Sequence, residues 1–141
     1  MSLSPRGGRR RGVKRRSGSK AVFDASAVLA LMQDEPGADR LRALQSDAVV
    51  NSVNAAEVLA KLVTRGMPAG EARAAYDALH LGIMPFETSL AAISARYVHK
   101  GVSLGDRCFL AAVHENGEGW TSDRDLGEIF GHQISTLKFF R

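Results

Sequence analysis

The chain has 141 residues and a mass of 15.2 kDa, room for one domain around one core. Hydrophobic residues at 45% and charged residues at 24% exclude chain-wide disorder and a fibrous protein, and the single cysteine, Cys108, excludes an internal disulfide. The four histidines have no HxxxH spacing and no CxxC accompanies them, which leaves zinc without a ligand set; no stretch approaches the ~18 uninterrupted apolar residues of a membrane span.

The formal charge of +4 averages two unlike pieces. Met1 to Lys20 carries eight of the 19 Lys and Arg residues and no acid, so from Ala21 onward 11 bases face all 15 acids, a net of 11 − 15 = −4. With Arg9 to Arg11, Lys14 to Arg16 and four glycines, residues 1–20 read as a disordered basic leader, attractive to phosphates without specificity and lacking the apolar run of a secretory signal. Residues 21–141 read as the folded domain, and a reducing cytoplasm suits its lone thiol.

In chain order, the apolar run Ala21 to Phe23 ends at Asp24 and passes into Ala27, Val28 and Leu31 at helical spacing, a strand running into a helix. Pro36 suits a first helical position before Ala38, Leu41 and Leu44, and Asp47 to Val50 offers a second strand. Val53 to Arg65 is rich in helix formers and stops at Gly66, and Pro68 opens another helix through Ala72, Tyr76 and Leu79. Gly82 to Phe86 fits a third strand, Leu90, Ile93 and Tyr97 mark a helix, and Phe109, Ala112 and Val113 mark the next, ended by Asn116-Gly117. Trp120-Thr121 begins a short strand, a brief helix runs to Phe130, and Gln133 to Phe140 supplies a last strand. Strands separated by helices imply a three-layer α/β/α sandwich with a short central, mainly parallel sheet, because parallel neighbours need a crossover.

In open α/β sheets ligands bind beyond the carboxyl ends of the strands, and Asp24 and Asp123 each follow a predicted strand there. Each acid also has a plain structural reading. Asp24 can cap a helix, and Glu57, with Asn54 three residues before it and Lys61 four after, can belong to a solvated stripe. Asp106 stands at capping-box spacing from Ser103. Ser122 and Asp125 share that spacing, which assigns the capping role to Asp125 and leaves Asp123 without a structural task. Cys108 reads as a buried inert thiol, the histidines as helix-end or surface groups, and Trp120, Tyr76 and Tyr97 as core.

The four phrases "VFDASAVLAL", "NSVNAAEVLAKL", "SLGDRCFLAAV" and "WTSDRDL", in this order and spacing, resemble PIN-domain ribonucleases, particularly the VapC-type toxins of toxin–antitoxin pairs. The resemblance spans nearly all of 21–141 and departs from the family in Gly-Glu-Gly-Trp before Thr121 and in the basic leader. It implies that Asp24, Glu57, Asp106 and Asp123 form an acidic quartet that is both catalytic and metal-binding, supported by Ser26, Asn54 and Thr121. It further implies hydrolysis of RNA leaving a 5′-phosphate, a cognate antitoxin and a homodimer. Arg107 and Arg124, each following an acid of the quartet, are candidates for substrate phosphate.

Such a cluster suits Mg²⁺ or Mn²⁺, hard cations that prefer carboxylate oxygen. Phosphodiester hydrolysis needs an activated water, a neutralised phosphate and a stabilised leaving oxygen, all of which a bound dication supplies. The competing reading is a noncatalytic nucleic-acid-binding protein, its acids only capping helices and its leader binding phosphate, recognised by salt-sensitive binding without cleavage. A receiver-type phosphoryl-transfer domain also carries Asp after the first strand, but neither a phosphate-cradling glycine loop nor a paired acidic cluster at the start supports it.

Overall fold

A computed structural model describes residues 20–141. Of the expected leader, residues 1–20, all but Lys20 lie outside the described residues, and Lys20 opens the first strand. Five strands, β1 (Lys20–Phe23), β2 (Ala48–Asn51), β3 (Gly82–Met84), β4 (Gly117–Thr121) and β5 (Leu137–Phe139), pair in the order β3-β2-β1-β4-β5, and every pairing is parallel.

Seven α-helices connect and follow them: α1 (Ala25–Gln33), α2 (Ala38–Arg42), α3 (Ser52–Thr64), α4 (Ala69–Asp77), α5 (Thr88–Ser94), α6 (Leu104–Asn116) and α7 (Arg124–Phe130). Alternation along the central strands sorts them into two layers. Ala21 and Phe23 of β1 and Ala48 and Val50 of β2 pack with α1 to α4, while Val22 faces Phe109, Leu110 and Val113 of α6 and Leu126 and Phe130 of α7. This is the expected three-layer sandwich.

Several boundaries differ from the sequence reading, each for a local reason. α2 begins at Ala38, with Pro36 in the preceding turn, and the last strand is confined to Leu137–Phe139. β4 starts at Gly117 rather than Trp120, so the unpromising Gly-Glu-Gly-Trp is itself strand. A β-carbon on Gly119 would overlap Val113 and come within 2.9 Å of Phe109 Cζ. The small residue lets α6 lie close on the sheet, and a strand chosen for that contact lacks the apolar run by which strands are recognised.

From β1 the chain adds β2 and β3 outward on one side, then crosses back to lay β4 and β5 on the other. The order therefore reverses at β1, and the crevice beyond the carboxyl ends of β1 and β4 is the place where such sheets bind ligands.

Candidate active site at the carboxyl edge

Asp24 is the first residue past β1 and the N-cap of α1. Its Oδ1 accepts from Ser26 Oγ at 2.7 Å and from the Ala27 amide at 2.9 Å, and its own amide donates to the Trp120 carbonyl across the β1–β4 seam at 3.3 Å. Only 8% of the residue is exposed. Burial pushes its carboxyl up from 3.8 to about 6; hydrogen bonds from Thr121, Ser26 and the Ala27 amide oppose the rise, and the nearby charge of Asp106 adds to it. Asp24 is thus a carboxylate whose ionised form is poorly compensated.

Thr121, at the end of β4, is fully buried. Its hydroxyl favours the ionised form of Asp24 and accepts from the Asp123 amide at 3.0 Å, while Ser26 Oγ accepts from the Ser122 amide at 3.1 Å. These bonds join the β1 and β4 ends into one ridge carrying Asp24, Ser26, Thr121 and Asp123. They also decide where α7 begins. Asp123, not Ser122, is the N-cap, and its Oδ1 accepts from the Asp125 amide at 3.0 Å. The expectation that Asp125 caps and Asp123 is free is therefore reversed: Asp123 is the cap, and the helix starts one residue later than the Ser122 spacing implies.

The other two acids sit on helices from opposite layers that meet above the sheet. Glu57 projects from α3, half-buried, and takes Asn54 Nδ2 at 2.7 Å; among the described residues it makes no ion pair with Lys61. Asn54 Nδ2 also reaches the Gly105 carbonyl at 3.2 Å, tying α3 to the first turn of α6. At Gly105 any β-carbon would overlap the Glu57 carboxylate, so this glycine leaves the place that Glu57 fills. Asp106, the next residue, closes the expected capping box: its Oδ2 accepts from the Ser103 amide at 3.0 Å, and Ser103 Oγ accepts from the Asp106 amide at 3.1 Å.

Asn51, absent from the sequence-based candidates, underlies this helix junction. It is wholly buried at the end of β2; its Oδ1 accepts from the Asn54 amide at 3.0 Å, and its Nδ2 donates to Asn54 Oδ1 at 2.6 Å. A backbone N–H can only donate, so it fixes the orientation of the Asn51 amide, which in turn turns the Asn54 NH₂ toward Glu57 and Gly105. The signal was present as an Asn at the strand-to-helix boundary three residues before another Asn, a capping position.

Of the remaining candidates, Arg107 is half-buried on α6, and Arg124 turns away from Asp123 toward β5, where its Nη2 donates to the Arg141 carbonyl at 2.9 Å. Cys108 is buried, and burial raises its thiol further from ionisation. Tyr97 and Trp120 are core, Tyr97 meeting Phe130 edge-on at 5.4 Å.

As the side chains stand, no three Asp, Glu, His or Cys groups among the described residues are close enough to hold one metal ion. Glu57, Asp106 and Asp123 are each engaged by a donor on their own element. The donor chemistry nonetheless fits a hard dication: hydrogen bonds compensate the buried Asp24 carboxylate only in part, Asp106 adds repulsion, and the Gly105 cradle accommodates a third carboxylate.

A doubly wound parallel sheet whose order reverses at β1, with Asp24 just past that strand, defines an α/β domain with its candidate site at the carboxyl edge. The chain belongs to the PIN domain family, whose model matches residues 21–129. A toxin–antitoxin complex from Klebsiella pneumoniae has a similar fold, with a TM-score of 0.65 at 17% identity over 86% of this chain and 98% of that one. VapBC2 from Rickettsia felis, bound to a DNA fragment from its promoter, gives 0.63 at 14% identity over 84% and 97%. A Pyrobaculum aerophilum protein gives 0.53 at 15% identity over 77% and 78%. No curated protein matches the sequence.

Proposed function

We propose that this protein is a divalent-metal-dependent endoribonuclease acting as the toxin of a toxin–antitoxin pair. The observation that carries the reading is Asp24, a nearly buried carboxylate at the switch point of a PIN-family sheet, raised to about 6 with a second acid beside it. In this reading Asp24, Glu57, Asp106 and Asp123 are the catalytic acids and hold Mg²⁺ or Mn²⁺. Bound there, the metal would neutralise substrate phosphate and lower the pKa of water. Asp24 would present its carboxylate from a fixed position set by Ser26, Thr121 and the α1 amide. Glu57 would be held over Gly105 by Asn54, while Asp106 and Asp123 would exchange backbone donors for the ion. Arg107 would face substrate phosphate.

The toxin reading draws on the structural relative described as a toxin–antitoxin complex and on the likeness to VapBC2. An exposed apolar groove of about 560 Å³ between α3 and α4, lined by Leu59, Val63, Ala69 and Ala72, suits a protein partner, either an antitoxin segment or a second copy in a homodimer. The test is incubation of the full chain with total cellular RNA in Mg²⁺, Mn²⁺ or chelator, with the cut ends mapped. Discrete metal-dependent cuts with 5′-phosphates, lost in Asp24→Ala and Asp106→Ala proteins that still fold, are expected. Salt-sensitive RNA binding with no cutting in any metal would contradict the reading and favour the noncatalytic alternative.

A further inference from the structure

Beyond β4, the same sheet edge carries a concentration of positive charge that the acidic cluster does not explain. β5 ends at Phe139, and three arginines from separate parts of the chain close over that end. Arg40 of α2 donates Nη1 to the Phe139 carbonyl at 3.3 Å, and its guanidinium lies 5.5 Å from the centre of the Trp120 ring. Arg124 of α7 lies 5.1 Å from the Phe139 ring, and Arg141 donates to the Pro36 carbonyl at 3.2 Å while lying 5.0 Å from the Phe140 ring. Arg141 also has Glu35 at 3.3 Å, whereas among the described residues neither Arg40 nor Arg124 has an Asp or Glu carboxylate within 4.0 Å.

A guanidinium has five N–H donors, and the Arg40 and Arg124 bonds described use one each. Stacking on an aromatic ring fixes each charge while leaving most donors outward, so little side-chain freedom is lost when an anion arrives. Packing alone does not call for the charge, since an uncharged side chain would cover Trp120 or Phe139 equally well. Residues 20–141 carry 12 bases and 15 acids, a net of 12 − 15 = −3, so a polyanion approaching the acidic crevice meets repulsion unless a nearby surface offsets it. The three arginines lie at the end of β5, next along the sheet from β4: Arg124 rests on the Phe139 ring, and Arg40 covers the ring of Trp120, which precedes Thr121.

We propose that Arg40, Arg124 and Arg141 form a phosphate-binding rim that holds the backbone of single-stranded RNA to one side of the cut phosphate. The proposal rests on the nuclease reading and names the surface that would bring substrate to it. It assigns Arg124 to a phosphate other than the one being cut.

The test measures binding of a labelled single-stranded RNA to the full chain in chelator across a salt series, comparing wild type with Arg40→Gln/Arg124→Gln. Residues 1–19 are the same in both, so the difference isolates the rim. The double variant is expected to bind about tenfold more weakly, with a salt slope flatter by about 1.4, two contacts at roughly 0.7 each. Arg40→Lys/Arg124→Lys, which keeps the charge, is expected to recover the slope, and Arg124→Gln alone, expected to flatten it by about 0.7, serves if the double glutamine protein fails to fold. Unchanged affinity and slope in a folded double variant would overturn the rim, while metal-dependent cutting by the wild type would leave the nuclease reading standing. A wild type that neither binds nor cuts RNA would overturn both. Loss of binding to an acidic peptide with RNA binding intact would mark a protein-docking surface and also overturn the rim.

Discussion

Asp24 caps a helix and, in the proposed reading, also serves the chemistry, and the two roles make opposing demands. As N-cap it satisfies the Ala27 amide, a role that Asn performs equally well, but as a buried anion it is costly. Its folded pKa of about 6 lies above the unfolded 3.8, so the native state holds the extra proton between these values. Stability should fall as pH rises through that window and level off above it, by about 3 kcal/mol for a shift of this size. In chelator, Asp24→Asn is therefore expected to melt several degrees higher than wild type at pH 8 and to match it near pH 4, while losing cleavage. Thermal melts at the two pH values check this; a lower melting temperature for the variant at pH 8 would show that the charge is well compensated. Sequence alone marked Asp24 as a candidate but could not supply the burial that sets its pKa. The same limit explains Asp123 and Asp125: two cap-competent residues adjoin, and the bond from the Ser122 amide to Ser26, 96 residues away, helps set the helix start.

Among the elements, the junction of α3 with α6 positions Glu57 and Asp106, two of the four proposed site acids. Capping-box spacing made the start of α6 legible, and helix formers did the same for α3, but nothing in local periodicity shows that Asn54 bridges 51 residues to the Gly105 carbonyl. Gly105→Ala is expected to fold with little change in melting temperature, since the obstructed group is the mobile end of Glu57 and Ala favours the helix. By displacing that carboxylate it should weaken Mn²⁺ binding roughly tenfold, read by calorimetry. Asn51→Ser retains a capping oxygen but cannot donate to Asn54 as the amide does, and a loss of similar size is expected, on the order of tenfold. If Asn51 acts through Asn54, the double change Asn51→Ser/Asn54→Ala will weaken Mn²⁺ binding no more than Asn54→Ala alone; additive losses would show independent roles. β4 was shortened in the sequence reading because its glycine serves the helix packed on it, and that partner lies outside any local window.

For the whole molecule, alternation of strands and helices was enough to give the layered α/β class, whereas the strand order, which places β1 at the reversal point, depends on packing across the chain. That order sets Asp24 and Thr121 at adjacent strand ends although 97 residues separate them, and Asp106 acts electrostatically on Asp24 from another layer. Expression in a bacterial host without an antitoxin is expected to arrest growth, and Asp24→Ala or Asp106→Ala should relieve the arrest with soluble protein retained. Equal toxicity from those variants would place the harm elsewhere in the chain.

If the proposed function holds, the carboxyl edge takes up a hard dication through acids delivered by different elements. Titration of the full chain with Mn²⁺ by calorimetry at pH 8, beside Asp24→Asn and Asp106→Asn, tests this most directly. Saturable binding by the wild type, weakened at least tenfold in both variants, is the predicted result. Absence of binding in the wild type, or equal binding in all three folded proteins, would contradict it.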